Sequence, residues 1–195
     1  MDWGRESDLT EQDKTRRFEQ TALPHLDAAY NLARWLAGND HDAADVVQEA
    51  YLRALKYFGT FRGGSAKAWL LAIVRNAFYD WNARYRSDAV PFDETTMDGN
   101  EAVLDSSAGV AEDPLSLLVR RRDREMVNRA IAALPVDARE ILVLRELEEM
   151  SYQEIAEALA IPMGTVMSRL ARARDSLRKR LARESGREKA GVVKA

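Results

Sequence analysis

The 195-residue sequence contains no cysteine, only two histidines and no glycine-rich phosphate-binding loop. The absence of cysteine excludes disulfides and thiolate metal sites. His25 and His41 lie near separate predicted helix ends, where neither has a credible catalytic or metal-binding partner. An enzyme is therefore the least favoured interpretation. We expect no catalytic residues, no metal, no cofactor and no small-molecule substrate.

Long hydrophobic runs are also missing from the sequence. No apolar stretch approaches the roughly 20 residues that a membrane-spanning helix needs. Residues 1–20 are charged throughout and lack the apolar centre of a signal peptide. Hydrophobic residues make up 46% of the chain and charged residues 31%, which is typical of a soluble protein with an apolar core. We expect a cytoplasmic protein with no membrane insertion.

Positive charge is absent from one segment of the chain. Residues 88–113 contain eight acidic residues and no Lys or Arg, although the whole chain has a net charge of only −3. Without this segment the remainder carries a charge of +5. The acidic overall composition therefore hides basic folded parts that are suited to nucleic acid.

Strand-like alternation is absent, and apolar residues recur at helical spacing on both sides of the acidic segment. The pattern predicts an all-α protein with two small helical domains joined by an acidic flexible linker. The predicted divisions are a flexible N-terminal tail over 1–16, a first domain over 17–87, a linker over 88–114, a second domain over 115–183 and a flexible tail over 184–195.

Three predicted helices make up the main part of the first domain. Asp42 can start the second of them, the sequence GTFRGGS separates the second from the third, and Pro24 either begins or kinks a helix. The predicted core positions are Leu26, Ala29, Tyr30, Ala33, Leu36, Val46, Val47, Ala50, Leu52, Leu55, Trp69, Leu70, Ile73, Val74 and Ala77.

The second domain ends in a short helix, a corner and a basic helix. Ser151 and Glu154 have the spacing of a capping box, with Ile155, Ala156 and Leu159 predicted on the inner face of the helix that follows. Pro162 suits the first turn of the next helix. This arrangement predicts a helix-turn-helix, a DNA-binding motif.

Residues of the corner and the outer face of the basic helix are the predicted DNA contacts. Arg can read guanine and Met or Thr can touch a thymine methyl group in the major groove. The positive surface would extend toward phosphates through Arg174, Arg178, Lys179 and Arg180. The plain alternative is a solvated helix face on which Asp175 and Glu184 pair with the Arg residues. The predicted contacts are Pro162, Gly164, Thr165, Met167, Ser168, Arg169 and Arg172.

Two stretches resemble one protein family, in the order that the family requires. DAADVVQEAYLRALKYFGTFRGGSAKAWLLAIVRNAFYDWNARYR closely resembles region 2 of bacterial RNA polymerase sigma factors of the extracytoplasmic-function (ECF) class, in the sigma-70 family. LPVDAREILVLRELEEMSYQEIAEALAIPMGTVMSRLARAR resembles their region 4. The resemblance implies a dissociable subunit that directs core RNA polymerase to promoters and promotes initiation and melting, and that is held inactive by an anti-sigma factor.

The resemblance also implies which residues act. Docking on core polymerase falls to Asp45, Val46, Gln48, Glu49 and Leu52. Opening and base capture at the minus-ten promoter element fall to Phe61, Arg62, Gly63, Ser65, Lys67, Arg75, Asn76, Tyr79, Asp80, Arg84 and Arg86. The helix-turn-helix contacts then belong to the minus-thirty-five element, with Met167 at a position that is commonly basic in the family.

A stand-alone DNA-binding regulator with a ligand-sensing first domain is the main alternative. Such proteins are normally dimers that bind duplex sites without polymerase. The aromatic and basic helix of the first domain, together with the lack of a dimerisation helix, favours the sigma-factor interpretation. Promoter DNA, core polymerase and an anti-sigma factor are thus the expected partners.

Overall fold

The computed structural model describes residues 11–85 and 114–192, and these residues form helices connected by short turns. The first group of elements is α1 (Glu11–Ala22), a 3₁₀ turn (Leu23–His25), α2 (Leu26–Ala37), α3 (Asp40–Tyr57), a second 3₁₀ turn (Phe58–Thr60) and α4 (Ala66–Tyr85). The second group is α5 (Pro114–Ala132), α6 (Val136–Leu142), a π-helical turn (Val143–Leu147), α7 (Tyr152–Leu159) and α8 (Met163–Val192). The described residues contain no strand, as the periodicity predicted.

Small side chains allow α2, α3 and α4 to pack closely. The buried residues include Ala29, Ala33, Ala43, Ala50, Ala54, Ala68 and Ala77, interleaved with larger ones such as Leu32, Trp35, Leu70, Leu71 and Val74. Because a helix in a bundle turns only one stripe inward, the predicted core was too wide. Leu26, Tyr30, Leu52 and Leu55 were predicted to be core, but all four are exposed.

Two local predictions of the first domain are resolved by the backbone. Asn39, not Asp42, caps α3, and its side chain accepts a hydrogen bond from the Asp42 backbone N–H at 2.9 Å. Asp42 instead takes the third helical position, where a carboxylate favours the positive end of the helix dipole. Pro24 lies in the 3₁₀ turn between α1 and α2, so it neither starts nor kinks an α-helix.

The second group of helices encloses its own buried side chains around α6 and the helix-turn-helix. Ile141, Leu144, Ile155, Val166 and Leu170 are almost completely buried. The π-helical turn that follows α6 lets Glu148 N–H donate to the carbonyl of Val143 at 2.9 Å. This wide turn places Glu148 beside the first group of helices.

The ends of the predicted domains differ from the helices observed. α1 begins at Glu11, within the segment predicted to be a flexible tail. α8 continues to Val192, so the predicted C-terminal tail is helical over most of its length. The predicted linker residues 88–113 lie outside the described part of the chain. Within the described part, no helix combines the length and apolar character needed to cross a lipid bilayer.

The two groups of helices pack against each other. α2 contacts α6, and α4 contacts α7. The buried apolar side chains of both groups belong to one contiguous cluster. The side of α4 that carries Lys67 and Arg75 is therefore turned toward the second group.

Candidate nucleic-acid interface

The capping box that the sequence predicted is present at the start of α7. Glu154 N–H donates to Ser151 Oγ at 3.2 Å, and Ser151 N–H donates to Glu154 Oε2 at 2.8 Å. Ile155 and Leu159 are buried as expected, whereas Ala156 is only partly buried and Ala158 completes the inner face. The first helix of the motif is therefore fixed at its N-terminus by its own sequence.

The corner between α7 and α8 depends on a left-handed residue. Ala160 has φ of 52°, a conformation that costs a residue with a Cβ on the order of 1 kcal/mol. Ile161 N–H donates to the Ala156 carbonyl at 3.0 Å, and Thr165 N–H donates to the Pro162 carbonyl at 2.8 Å. These bonds close the corner and start α8, so the helix-turn-helix prediction is confirmed.

α8 divides into a buried side and an exposed side at its N-terminal end. Val166 and Leu170 are buried, while Met167 is 46% exposed. Arg172 is also exposed, and its Nε donates to the Ser168 carbonyl at 3.2 Å. Among the other predicted contacts, Pro162, Gly164 and Ser168 are exposed, and Thr165 and Arg169 are partly buried. The exposed side has the shape and chemistry of a major-groove reader.

The predicted polymerase-docking residues on α3 do not all share one face. Val46 is 1% exposed, so its side chain belongs to the core and supports the surface from below. Asp45, Gln48 and Leu52 are exposed and lie three or four residues apart, so they form one stripe. Glu49 flanks the stripe and is paired with Arg53 at 2.7 Å.

His41 has closer acidic neighbours than the sequence suggested. Its Nδ1 lies 3.7 Å from a carboxylate oxygen of Asp42 and 3.7 Å from one of Asp45. The first two turns of α3 bring the three side chains together. The group is exposed to solvent.

The loop before α4 contains an aromatic cluster. The ring of Phe61 lies 5.1 Å from that of Trp69 and 6.2 Å from that of Phe58, measured between centroids. Phe61 and Trp69 are half-buried, whereas Phe58 is buried. Gly63 and Gly64 have φ of 91° and 90°, which only glycine adopts readily. The loop therefore presents the half-buried ring of Phe61 and the exposed Arg62 next to a tight turn.

α4 carries most of the remaining predicted minus-ten contacts. The guanidinium of Arg75 lies over the ring of Tyr79 at 4.8 Å from its centroid. Asn76 is exposed next to them. Asp80 is engaged by Arg53 of α3 through an ion pair, and its carbonyl accepts from Arg84 Nε at 3.2 Å. The carboxylate of Asp80 therefore orders the helix surface, and Arg86 lies outside the described residues.

Three glutamates of the second group of helices meet this face of α4. Lys67 Nζ lies 2.8 Å from Oε2 of Glu148 and donates to its carbonyl at 2.7 Å. Arg75 Nε lies 2.9 Å from Oε1 of Glu140. A hydrogen bond from Ser65 is the main cause that lowers the pKa of Glu154, with further hydrogen bonds from Ser151. Three of the predicted DNA contacts, Ser65, Lys67 and Arg75, are thus engaged by carboxylates of the second group.

Glu140 is the most deeply buried of these acids, at 1% exposure. Burial raises its pKa to about 7, against the opposing effect of the charge of Arg75. Burial also raises the pKa of Tyr79 to about 12, with a further contribution from Glu140. The junction therefore holds a carboxyl group near the midpoint of its titration at neutral pH.

Arg139 is a structural residue that sequence reasoning missed. Its guanidinium donates to the carbonyls of Ala132 at 2.6 Å, Leu134 at 3.0 Å and Trp35 at 2.7 Å. Burial lowers the pKa of Arg139. No local pattern distinguishes this Arg from a solvated one, since the Trp35 carbonyl belongs to the other group of helices.

Comparison with known proteins identifies both halves of the chain. A family model described as sigma-70 region 2 matches residues 22–105, and one described as sigma-70 region 4 matches residues 124–177. The chain is 36% identical over 140 residues to the ECF RNA polymerase sigma-E factor of Escherichia coli, covering 70% of this chain and 72% of that one.

Two further similarities extend over more of the chain. It is 33% identical over 180 residues to the ECF RNA polymerase sigma factor SigE of Mycolicibacterium smegmatis, covering 86% of this chain and 65% of the length of SigE. The sigma factor RpoE of Bartonella quintana, solved in complex with the anti-sigma factor NepR, superposes with a TM-score of 0.64 at 27% identity, covering 86% of this chain and 98% of that one.

Proposed function

The chain belongs to the ECF class of the sigma-70 family of RNA polymerase sigma factors, and from this premise we propose how its surfaces divide the work of transcription initiation. The protein acts as a dissociable subunit that directs core RNA polymerase to specific promoters and promotes their melting. It performs no chemistry itself, and it acts in the cytoplasm with the polymerase. The single observation that carries the proposal is a helix-turn-helix joined to a region 2 helix bundle in one chain.

The exposed stripe on α3 is the surface that docks on core polymerase. Asp45 and Gln48 offer a carboxylate and an amide, which suit a basic and hydrogen-bonding partner surface. Leu52 is 59% exposed, and burying this apolar side chain against a partner is favourable. Val46 holds the stripe on the core beneath it.

The N-terminal end of α8 reads the minus-thirty-five element as duplex DNA. Arg172 is exposed and can reach a base edge or a phosphate, while Met167 offers an apolar contact to a thymine methyl group. Because Met167 carries no charge, this position contributes shape rather than electrostatic attraction.

The loop and α4 act on the minus-ten element after melting begins. Phe61 offers an aromatic ring to an unstacked base, Asn76 offers an amide to a base edge, and Lys67 and Arg75 bind phosphates. Such contacts require an accessible face of α4, where the second domain engages Lys67 and Arg75 and leaves Asn76 exposed.

An anti-sigma factor is the expected negative regulator. The structure of RpoE with NepR shows one such pairing for a relative. The acidic segment 88–113 presents negative charge to basic surfaces of the polymerase that otherwise accept nucleic acid. It serves as the connector that lets the two DNA-binding elements reach separate promoter sites.

In-vitro transcription with bacterial core polymerase tests the proposal. Adding the protein should produce transcripts with defined start sites, and mapping those starts should show one shared promoter sequence. Tight, sequence-specific binding of a dimer to duplex DNA without polymerase, and no transcription with it, would instead establish the protein as a stand-alone regulator.

A further inference from the structure

The second domain occupies the start and middle of the α4 face assigned to promoter DNA, whereas Asn76, Asp80 and Arg84 of that face stay exposed. Ser65, Lys67 and Arg75 lie at successive positions along the start and middle of this face, and each meets one glutamate of the second domain. The acceptors are Glu154, Glu148 and Glu140, in an order antiparallel to the chain. A row of carboxylates therefore engages side chains that the proposed function assigns to DNA.

We propose that the free protein is self-inhibited, with the second domain closed over the promoter-melting face of the first and three glutamates standing in for DNA phosphates. The proposal rests on the proposed function of that face. Closure leaves Arg172 and Met167 of the helix-turn-helix and Asn76 of α4 exposed, but it engages Lys67 and Arg75 of the melting surface. DNA or polymerase must therefore separate the two domains before the minus-ten strand can bind.

The contacts at the junction are specific to this arrangement of the two domains. Glu148 is 7% exposed and is contacted from two helices of the first domain, since Asn31 Nδ2 of α2 donates to its Oε1 at 2.6 Å. Arg139 adds its bond to the Trp35 carbonyl at the end of α2. Polar groups that match in this number and geometry define one closed position rather than a loose association.

The closed position is only weakly stabilised by its buried ion pair, so it can open. Arg75 Nε and Glu140 Oε1 are both buried but make no well-aligned hydrogen bond within the described residues, so the burial of the two charges is only partly compensated. Buried ion pairs of this kind contribute little net stability, because desolvation offsets their attraction. Polyanionic DNA can then compete for Lys67 and Arg75.

The length of the connector permits a large separation. Residues 86–113 join the two described parts of the chain, and a segment of this length reaches about 90 Å when fully extended. Opening therefore requires no unfolding of either domain. The apparent dissociation constant of the hidden face equals its intrinsic value divided by the fraction of open protein.

The absence of cysteine makes the closure directly measurable in the full chain. Lys56 and Ala182 are exposed and lie in different domains, so Lys56→Cys and Ala182→Cys accept a donor and an acceptor dye. Glu148→Lys places like charges beside Lys67 and should lower energy transfer. Adding Lys67→Glu restores an opposite-charge pair and should recover much of the transfer. Glu149→Lys, which changes the neighbouring exposed acid by the same charge, is the matched control.

The second measurement is binding to a labelled, mixed-sequence single-stranded DNA of about a dozen nucleotides. Glu148→Lys should bind about tenfold more tightly than the parent, because more of the protein is open. Glu149→Lys should gain much less, since it adds the charge without releasing the junction. Single-stranded DNA should itself lower energy transfer in the parent protein.

The outcomes separate closure from the function of the face. Low energy transfer in the parent, unchanged by Glu148→Lys, would overturn the closed state. A different outcome is high energy transfer in the parent that Glu148→Lys abolishes without any gain in DNA binding. That result would support the closed state but overturn its inhibitory role and the minus-ten assignment. Equal gains in DNA affinity from Glu148→Lys and Glu149→Lys would show that the added positive charge alone strengthens DNA binding. That result would overturn the proposed inhibition.

Discussion

Glu140 of α6 places its carboxylate 2.9 Å from the guanidinium Nε of Arg75 on α4, in the buried junction between the two domains. The acid belongs to the domain that carries the helix-turn-helix, and the base belongs to the face assigned to the minus-ten element. This ion pair, like that of Lys67 with Glu148, therefore links the two domains of the chain. The titration of Glu140 makes the packing of the two domains depend on pH.

Closure should weaken as pH rises through 7. Burial raises the pKa of Glu140 to about 7, from an ordinary value of 4.5. Between pH 4.5 and about pH 7, Glu140 is therefore protonated in the closed form and ionised in the open form. The closed form is thus most favoured at the acidic end of this window, and the advantage disappears as pH rises through 7. Arg75 and Tyr79 of α4, Asp137 of α6 and Arg169 of α8 surround the group.

Energy transfer between dyes at positions 56 and 182, measured from about pH 5 to about pH 8, checks this expectation. Transfer should fall with rising pH in the parent, and Glu140→Gln should remove most of the change. His25, whose pKa is lowered mainly by burial, is a second titratable group of the first domain, so His25→Gln is the control and should retain the change. A flat profile in the parent would contradict the role of Glu140.

Replacing Arg172 by Ala should weaken the first, closed complex with promoter DNA. The loss of an Arg contact to a base or phosphate costs on the order of 1–3 kcal/mol. Footprinting of holoenzyme on a duplex promoter at low temperature measures this step. Lys56→Ala, an exposed cation on α3, is the control, and an Arg172→Ala defect confined to melting would refute the assignment.

Replacing Asn76 by Ala should leave the closed complex nearly intact and reduce the open one. Asn76 is exposed and is assigned to an unpaired base, which exists only after melting. Permanganate reactivity of thymines on the same promoter reports the open complex. A pre-melted template should restore opening without restoring base preference, whereas loss of closed binding would show that Asn76 acts on duplex DNA.

Phe61→Ala should reduce the open complex in the same assay, with a second effect on the fold. The ring packs against Phe58 and Trp69, so its removal should also lower the stability of the first domain. Comparing Phe61→Leu with Phe61→Ala separates the two effects, because leucine fills the space without offering a stacking surface. A melting defect equal in the two variants assigns the loss to stacking.

Reversing the charge of Asp45 should weaken association with core polymerase. Asp45→Arg changes the exposed stripe of α3 but leaves Val46 and the core beneath it unchanged, so helical content should stay the same. Co-purification with core polymerase measures the effect, with Glu19→Arg on α1 as a charge-matched control. Equal retention of both variants by core polymerase would show that the stripe on α3 is not the docking surface.

Removing the cap of α7 should destabilise the second domain. Ser151→Ala leaves the backbone N–H of Glu154 without its acceptor, which typically costs about 1 kcal/mol. Urea unfolding followed by circular dichroism measures the change, and Gln153→Ala at an exposed position of the same helix is the control. A loss no greater than that of the control would show that the capping box contributes nothing measurable.

Local features of the sequence determined the class of the fold and the main DNA-reading motif. The capping box at Ser151 and Glu154, the corner at Pro162 and the apolar spacing of the helices are all set by residues within a few positions of one another. Such features are predictable because their energetics depend on short-range contacts. The order of the two resembling stretches was likewise visible in the sequence.

The tertiary structure alone decided which side of each helix faces the core, the other domain or solvent. Leu52 and Val46 both continue an apolar pattern on α3, but only the packing of α2 and α4 buries Val46 and leaves Leu52 exposed. Glu140 and Arg75 read separately as charges on solvated helix faces. Their pairing depends on contacts between distant parts of the chain, whose geometry is determined by the packing of both domains together. That packing converts an expected pair of independent domains into one closed unit.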